Sequence, residues 1–202
     1  MMLCNEEMRK EILSRLHGYR YEHTLGCERA AVCLAQRFGG DVEKAAFAAI
    51  LHDITKQFSK EEQLNLCEKY DIIPCNVEIS EWKMLHGKTA AAIARREYGA
   101  PQDVCDAIAC HTTGKARMTL LDKIIYLADY IEDTRDFPGV EIARVLAEDD
   151  IDRALLYCFD QTLTDLIERA KLIHSDTIAA YNALAAKGVR WRDAMKLEAR
   201  NV

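Results

Sequence analysis

The sequence predicts an all-α protein, a helical bundle with additional C-terminal helices, and three observations carry that prediction. No convincing stretch alternates apolar and polar residues with the period of two that a half-buried strand needs. Helix-opening residues precede apolar-periodic segments, and glycines close several of them. All three prolines, Pro74, Pro101 and Pro138, fall at the resulting breaks, where their missing N–H and fixed φ are tolerated.

Taken in order, Asn5 caps a first helix that ends at Gly18. A second runs from about Thr24 to Phe38 and stops at Gly39-Gly40. Asp41 caps a third, through the apolar AAFAAIL to His52-Asp53. Ser59 and Glu62 form a capping-box pair opening a fourth, which ends near Tyr70. Pro74 lies in the following loop, and IIPCNVEI at 72–79 is the one place where a short strand fits. One or two helices cover 80–98, interrupted near His86-Gly87 and closed by Gly99. Pro101 suits the first turn of the next, which ends around His111 before Gly114. Thr119 and Asp122 cap the helix containing KIIYLADYIED, and Pro138-Gly139 breaks the chain again. Residues 140–190 give two or three further amphipathic helices, whose apolar stripes serve either a core or a homodimer face.

The chain of 202 residues reads as one domain over 1–202, with a core at about 19–165 and a helical extension at about 166–202. A net charge of −6 argues against a general nucleic-acid binder, which shows a basic face or tail. It leaves room for a small anionic substrate, because bound cations dominate a local field. The eight cysteines form no Cys-x-x-Cys pair and no zinc-finger spacing, and several, such as Cys33 in AAVCLA, occupy apolar helical positions. They read as free, mostly buried thiols in a reducing compartment. The start, MMLCNEEMRKEIL, is charged and helix-like, unlike a signal peptide, and no apolar run approaches the ~20 residues of a membrane span. A cytoplasmic enzyme without nucleic-acid or membrane partners is the expectation.

Chemistry concentrates on few residues. His52-Asp53 follows FAAIL directly, and adjacent helical side chains about 100° apart still converge on an ion lying between them. The second oxygen of Asp53 is then free for a neighbouring ion. Asp129 interrupts the apolar IIYLADYI, where a carboxylate must be paired, hydrogen-bonded or metal-bound, with Lys123 or Tyr126 as ordinary partners. His23, His86 and His111 stand beside helix ends or polar breaks. Singly, each reads as an ordinary polar residue; together, four His and two Asp on helices exceed the needs of one tetrahedral ion. Two divalent ions sharing Asp53 is the economical arrangement, as in two-metal phosphatases. An N/O ligand set without thiolate favours Fe or Mn, or Zn, over a Mg-only site. Such a pair generates hydroxide at neutral pH and neutralises phosphoryl oxygens. Arg20, Lys56, Lys88, Lys115, Arg117 and Arg135 are nearby cations, of which Lys56, one turn after His52, and Arg135 are favoured.

The phrases RYEHTLG (20–26), ILHDITK (50–56), LHG (85–87), HTTG (111–114) and KIIYLADYIEDTRDFPGV (123–140) resemble the HD-domain superfamily of metal-dependent phosphohydrolases, with its H…HD…D signature. Within it they are similar to the YqeK family of symmetrical bis(5′-nucleosyl)-tetraphosphatases, over roughly residues 19–165. The resemblance implies that His23, His52, Asp53 and Asp129 bind one metal. It implies that His86 and His111, with Asp53 bridging, bind a second, iron first among Fe, Mn, Co and Zn. It places Lys56, Thr112, Thr113 and Arg135 on the phosphate or nucleotide. Arg20, three before His23, and Lys88, after His86, are further candidates to bind substrate from their places in the sequence, and Asp53 and Lys56 are the candidates for the chemistry. It implies symmetrical cleavage of diadenosine tetraphosphate to two ADP. Thr55 departs from the family pattern, which has a small apolar residue there. Other HD-type activities on nucleotides (nucleotidase, deoxynucleotide triphosphohydrolase, cyclic-nucleotide phosphodiesterase) share the same cage, and a catalytically silent nucleotide-binding helical module is the reading from outside the enzymes.

Overall fold

The computed structural model describes residues 3–192, which form eleven helices, one 3-10 turn and no strand. The helices are α1 (Glu6–Ser14), α2 (Tyr19–Phe38), α3 (Val42–Leu51), α4 (Lys60–Lys69), α5 (Asn76–Ser80), α6 (Leu85–Tyr98), α7 (Gln102–Cys110), α8 (Leu120–Ile131), α9 (Val140–Asp149), α10 (Ile151–Glu168) and α11 (Ser175–Ala186). The all-α expectation holds, and among the described residues α9, α10 and α11 follow Pro138-Gly139.

α3 is the centre of the bundle. Its sequence is apolar on nearly every face, so it is stable only when surrounded. α1, α2, α6, α7 and α8 pack around it, and Ala45, Phe47, Ala48, Ala49, Ile50 and Leu51 are all buried. The alanines let neighbouring backbones approach, while Phe47, Ile50 and Leu51 fill the spaces between them. α3 therefore delivers the next two residues, His52 and Asp53, into the interior of the protein. The apolar stripes of α9, α10 and α11 are largely core: Ala143, Leu146, Leu155, Phe159, Ala180 and Leu184 are buried. The 193–202 part of the expected extension lies outside the described residues.

Local capping chemistry sets several boundaries where the sequence places them. Asp41 accepts from the Lys44 amide, and reciprocal capping boxes open α4 (Ser59 and Glu62) and α8 (Thr119 and Asp122). Four expectations need correction. α1 ends at Ser14, and α2 starts at Tyr19 behind a Gly18 with φ of 56°, so His23 lies inside a helix. The 72–79 segment forms no strand; Asn76–Ser80 is a helical turn whose Glu78 carboxylate accepts from the Cys75 amide. His86-Gly87 does not interrupt α6, because the break comes earlier, at the 3-10 turn Trp82–Met84. Gly87 is small for a different reason: a Cβ there would sit 3.0 Å from the Ala109 carbonyl oxygen of α7. Finally, Cys33 is exposed on α2, although Cys27, Cys67, Cys105, Cys110 and Cys158 are buried and all eight cysteines are free.

Candidate metal centre

Five helices bring their ends or inner faces to one point. His23 comes from the second turn of α2, His52 and Asp53 from the end of α3, His86 from the first turn of α6, His111 from the C-cap of α7, and Asp129 from the last turn of α8. The four imidazoles and Asp53 are buried, at 2% exposure or less, while the Asp129 side chain is 21% exposed and marks the open side.

The two oxygens of Asp53 face different neighbours. Oδ2 lies 3.5 Å from His23 Nε2 and 3.4 Å from His52 Nε2, and Asp129 Oδ1 lies 3.0 Å from His23 Nε2. Oδ1 lies 3.1 Å from His86 Nε2 and 3.5 Å from His111 Nε2. The result is two adjoining clusters with one carboxylate between them.

Every imidazole is turned the same way. His52, His86 and His111 donate from Nδ1 to the carbonyls of Ala49 (2.6 Å), Lys83 (2.5 Å) and Ile108 (2.7 Å), each three residues earlier. His23 donates from Nδ1 to Glu132 Oε1 at 2.9 Å. A carbonyl or carboxylate accepts only, so Nδ1 holds the proton and Nε2 presents a lone pair in the neutral form. His86 Nε2 and His111 Nε2 consequently face each other at 3.0 Å as two acceptors, beside an Asp53 Oδ1 that has no hydrogen-bond partner. Mutually facing acceptors in a buried site are unfavourable unless a cation lies among them. The donor set and its orientation therefore fit divalent metal ions, with Nδ1 acceptors behind each ring of the kind that fix metal-bound histidines.

Electrostatics set His23 apart from His111. Burial opposes charge on Asp53, but His52, His111 and His23 hold it well below the usual carboxylate range. Burial likewise opposes charge on His23, yet Asp129, Asp53 and Glu132 push it up to about 9. His111 is pushed down to about 4, chiefly by burial, so its lone pair is available near pH 7.

The cations divide into two groups. Arg20 pairs with Asp53 Oδ2, Lys56 lies 3.0 Å from His86 Nε2, and Arg135 donates to Asp129 Oδ1 (2.5 Å) and to the Asp129 carbonyl (2.8 Å). All three are half-buried at the mouth of the clusters. Burial, only partly offset by Asp53 and Asp129, lowers the Lys56 pKa. Lys88 is instead engaged by Glu78 at 2.7 Å, Lys115 pairs with Asp122, and the Thr113 hydroxyl is buried and donates to the Gly114 carbonyl. Those three are thus held by neighbours outside the clusters, whereas Thr112 is half-buried beside His111. Asp129 is satisfied neither by Lys123, which pairs with Asp152, nor by Tyr126, whose ring packs on Phe159.

Two residues at the centre escape the sequence reading. Glu132 is buried, accepts from His23, and also accepts from the Thr134 hydroxyl (2.6 Å) and amide (2.7 Å). Its signal was its place in LADYIE, three residues after Asp129 and so on the same helix face. Cys27 Sγ lies 3.5 Å from His23 Nε2; burial and the surrounding carboxylates raise its pKa well above 9, keeping it a thiol. Thr55, the departure from the family pattern, bonds to the His86 carbonyl (3.1 Å) and the Thr89 hydroxyl (2.9 Å), tying the turn after Asp53 to the start of α6.

Close packing at Glu132 gives a stability prediction. A Cβ on Gly26 would overlap Glu132 Oε2, a carboxylate already fixed by its partners. Gly26→Ala is expected to destabilise the protein by about 1–3 kcal/mol, read as a lowered midpoint in chemical denaturation.

A helical bundle that converges four imidazoles and two carboxylates, with cations at the mouth, is built as a metal-dependent hydrolase. The HD domain model matches residues 20–134. The symmetrical bis(5′-nucleosyl)-tetraphosphatase of Bacillus subtilis (strain 168) is 38% identical over 90% of this chain and 97% of its own. The protein of the same description from Halalkalibacterium halodurans is 40% identical over 84% of this chain and 90% of its own. A crystal structure described as a predicted HD superfamily hydrolase involved in NAD metabolism, from Clostridium acetobutylicum, superposes with a TM-score of 0.86 at 36% identity, covering 90% of this chain and 97% of that one. The chain belongs to the HD-domain family and, within it, to the family of symmetrical bis(5′-nucleosyl)-tetraphosphatases.

Proposed function

We propose that the chain hydrolyses diadenosine tetraphosphate, and related dinucleoside polyphosphates, symmetrically to two ADP in the cytoplasm. The observation that carries the metal chemistry is the division of Asp53, one oxygen toward His23, His52 and Asp129, the other toward His86 and His111. Those six residues hold two divalent ions, iron first among Fe, Mn, Co and Zn. When bound, the pair supplies a hydroxide nucleophile at neutral pH and a clamp for the phosphoryl oxygens.

The chain's own residues do the remaining work. Nδ1 hydrogen bonds lock the four imidazoles, so no ligand must reorient during the reaction. Arg20, Lys56 and Arg135 place positive charge at the mouth, where a polyphosphate accumulates negative charge. Lys56 faces Asp53 Oδ1 and His86, between the clusters and the mouth, where it would contact a bound phosphoryl group. Thr112, half-buried and next to His111 in the chain, is the further candidate to contact the nucleotide. The relatives' names supply the symmetrical register, which side-chain spacing does not encode.

The test is product separation after incubating metal-loaded protein with diadenosine tetraphosphate. ADP alone is expected; AMP with ATP, or no turnover with Fe²⁺, Mn²⁺ or Co²⁺, overturns the reading. A parallel panel of mononucleotides, deoxynucleoside triphosphates, cyclic nucleotides and NAD should show weaker turnover.

Metal loading should depend on pH with a defined sign. In the metal-free centre His23 titrates at about 9, so at neutral pH a metal displaces its proton. Affinity of the His23 cluster is expected to rise about tenfold per pH unit up to about 9 and then level off. Calorimetric titrations in buffers of different ionisation enthalpy measure both the slope and the released proton.

A further inference from the structure

Away from the metal centre the fold brings a cysteine, a carboxylate and a histidine together. Cys75 caps the short α5, Glu78 lies within it, and His174, 99 residues after Cys75, caps α11. Cys75 Sγ lies 3.3 Å from His174 Nε2, and that nitrogen lies 3.9 Å from Glu78 Oε1. Glu78 and His174 are buried, whereas Cys75 is exposed. None of the three belongs to the metal centre.

Sulfur, imidazole and carboxylate are also the donors of a zinc site, so the orientation of the ring decides between two chemistries. His174 Nδ1 accepts from the Asp176 amide at 3.1 Å. A backbone N–H only donates, so the neutral ring keeps its lone pair on Nδ1 and its proton on Nε2. His23, His52, His86 and His111 are the reverse, with protons on Nδ1 and Nε2 lone pairs aimed at one another's clusters. A ring held as His174 is has no lone pair at Nε2 for a cation. It has an N–H there, directed at sulfur.

Glu78 does not take that N–H. Its Oε2 accepts from the Cys75 amide at 2.8 Å and from Lys88 at 2.7 Å, and its Oε1 stands beyond hydrogen-bonding distance of the ring. Lys88 also offsets the carboxylate charge beside the sulfur. A thiolate accepts a charge-assisted hydrogen bond from the imidazole N–H, whereas a thiol accepts only a weak one. The thiolate is the nucleophile in disulfide exchange. Room for an attached group adjoins the pair, because His174 lines a cavity of about 360 Å³ together with Met84, Leu166 and Leu172.

We propose that Cys75 is a modification site, an accessible thiolate held by the Nε2–H of His174 that forms a mixed disulfide with a small-molecule disulfide. The Cys75 thiol first gives its proton to solvent. The thiolate attacks one sulfur of the small disulfide, a Cys75 S–S bond forms, the original S–S bond breaks, and the second half leaves as a thiolate that takes up a proton. His174 is a positioning residue, acting through the sulfur.

The experiment incubates the reduced full chain with oxidised glutathione and follows each cysteine by peptide mass spectrometry. Cys33, exposed on α2, is the internal reference. Cys75 is expected to react about tenfold faster than Cys33, the scale of one charge-assisted hydrogen bond. His174→Asn retains an acceptor for the Asp176 amide and removes the donor to sulfur; it should bring Cys75 to within about twofold of Cys33. His174→Gln retains a donor in that direction and should keep most of the advantage. Equal rates at Cys75 and Cys33 in the wild type overturn the proposal, as does a Cys75 in His174→Asn as fast as wild type or a glutamine variant as slow as the asparagine one. A Cys75 that reacts only after a chelator has removed an ion also overturns it, in favour of a metal site on the same three residues. Circular dichroism checks folding, and His174→Ser, which also caps α11, replaces an asparagine variant that does not fold.

Discussion

Replacing Asp53 with asparagine is expected to lower kcat for diadenosine tetraphosphate by about 10³-fold or more, a loss of about 4 kcal/mol of transition-state stabilisation. The reason is geometric. Among the described residues, Asp53 is the one carboxylate whose two oxygens face the two histidine clusters separately. An amide keeps the shape but offers one oxygen, no charge, and an NH₂ group pointed at lone pairs. Loss of metal and loss of rate should therefore go together, and metal analysis of the variant should find less than the wild-type content. The helical signal should persist, because α3 is held by Phe47, Ile50 and Leu51 rather than by the site. Near-normal turnover in Asp53→Asn would remove the residue from the centre of the mechanism. Asp129→Ala is expected to abolish turnover for a related reason, since it takes away the carboxylate proposed as the ligand on the open side.

Glu132→Ala is expected to weaken metal binding by about 10–100-fold, although Glu132 touches no metal position. Its carboxylate is the acceptor for His23 Nδ1 and is itself held by Thr134. Without it, His23 has no fixed tautomer and a buried donor has lost its partner, which also costs about 1–3 kcal/mol of stability. Glu132→Gln retains an acceptor oxygen at the same distance and should restore most of the affinity. Glu132 is a positioning residue, so kcat at saturating metal should stay close to wild type in the glutamine variant while the apparent metal dissociation constant reports the defect in the alanine variant. Equal losses in both variants would point to charge, rather than orientation, as the role of Glu132.

What was legible in the sequence follows from the range of the interactions involved. Asp41, Ser59 with Glu62, and Thr119 with Asp122 are visible because their hydrogen bonds close within three residues. The six site residues stand out because polar groups in or beside apolar helices need a partner, and together they read as one candidate ligand set. Glu132 was hidden because its partner His23 lies 109 residues away. The fate of Lys88 depended on Glu78, in the 72–79 segment where a short strand fitted but where a helical turn forms and its carboxylate pairs with Lys88. Gly87 reads as a helix breaker locally, while its cause is the close approach of α7. The early start of α2 turns on the positive φ of Gly18, which no apolar period announces. In each case the missing information was a contact between distant segments or a single backbone angle.

Asp53 is expected to join two metal ions. Anomalous scattering from crystals of the Mn²⁺-loaded protein tests it most directly. Two peaks about 3.5–4 Å apart are predicted, one bound by His23, His52 and Asp129, the other by His86 and His111, each with its own oxygen of Asp53. A single peak at full loading, or two peaks with Asp53 bound to only one of them, would contradict it.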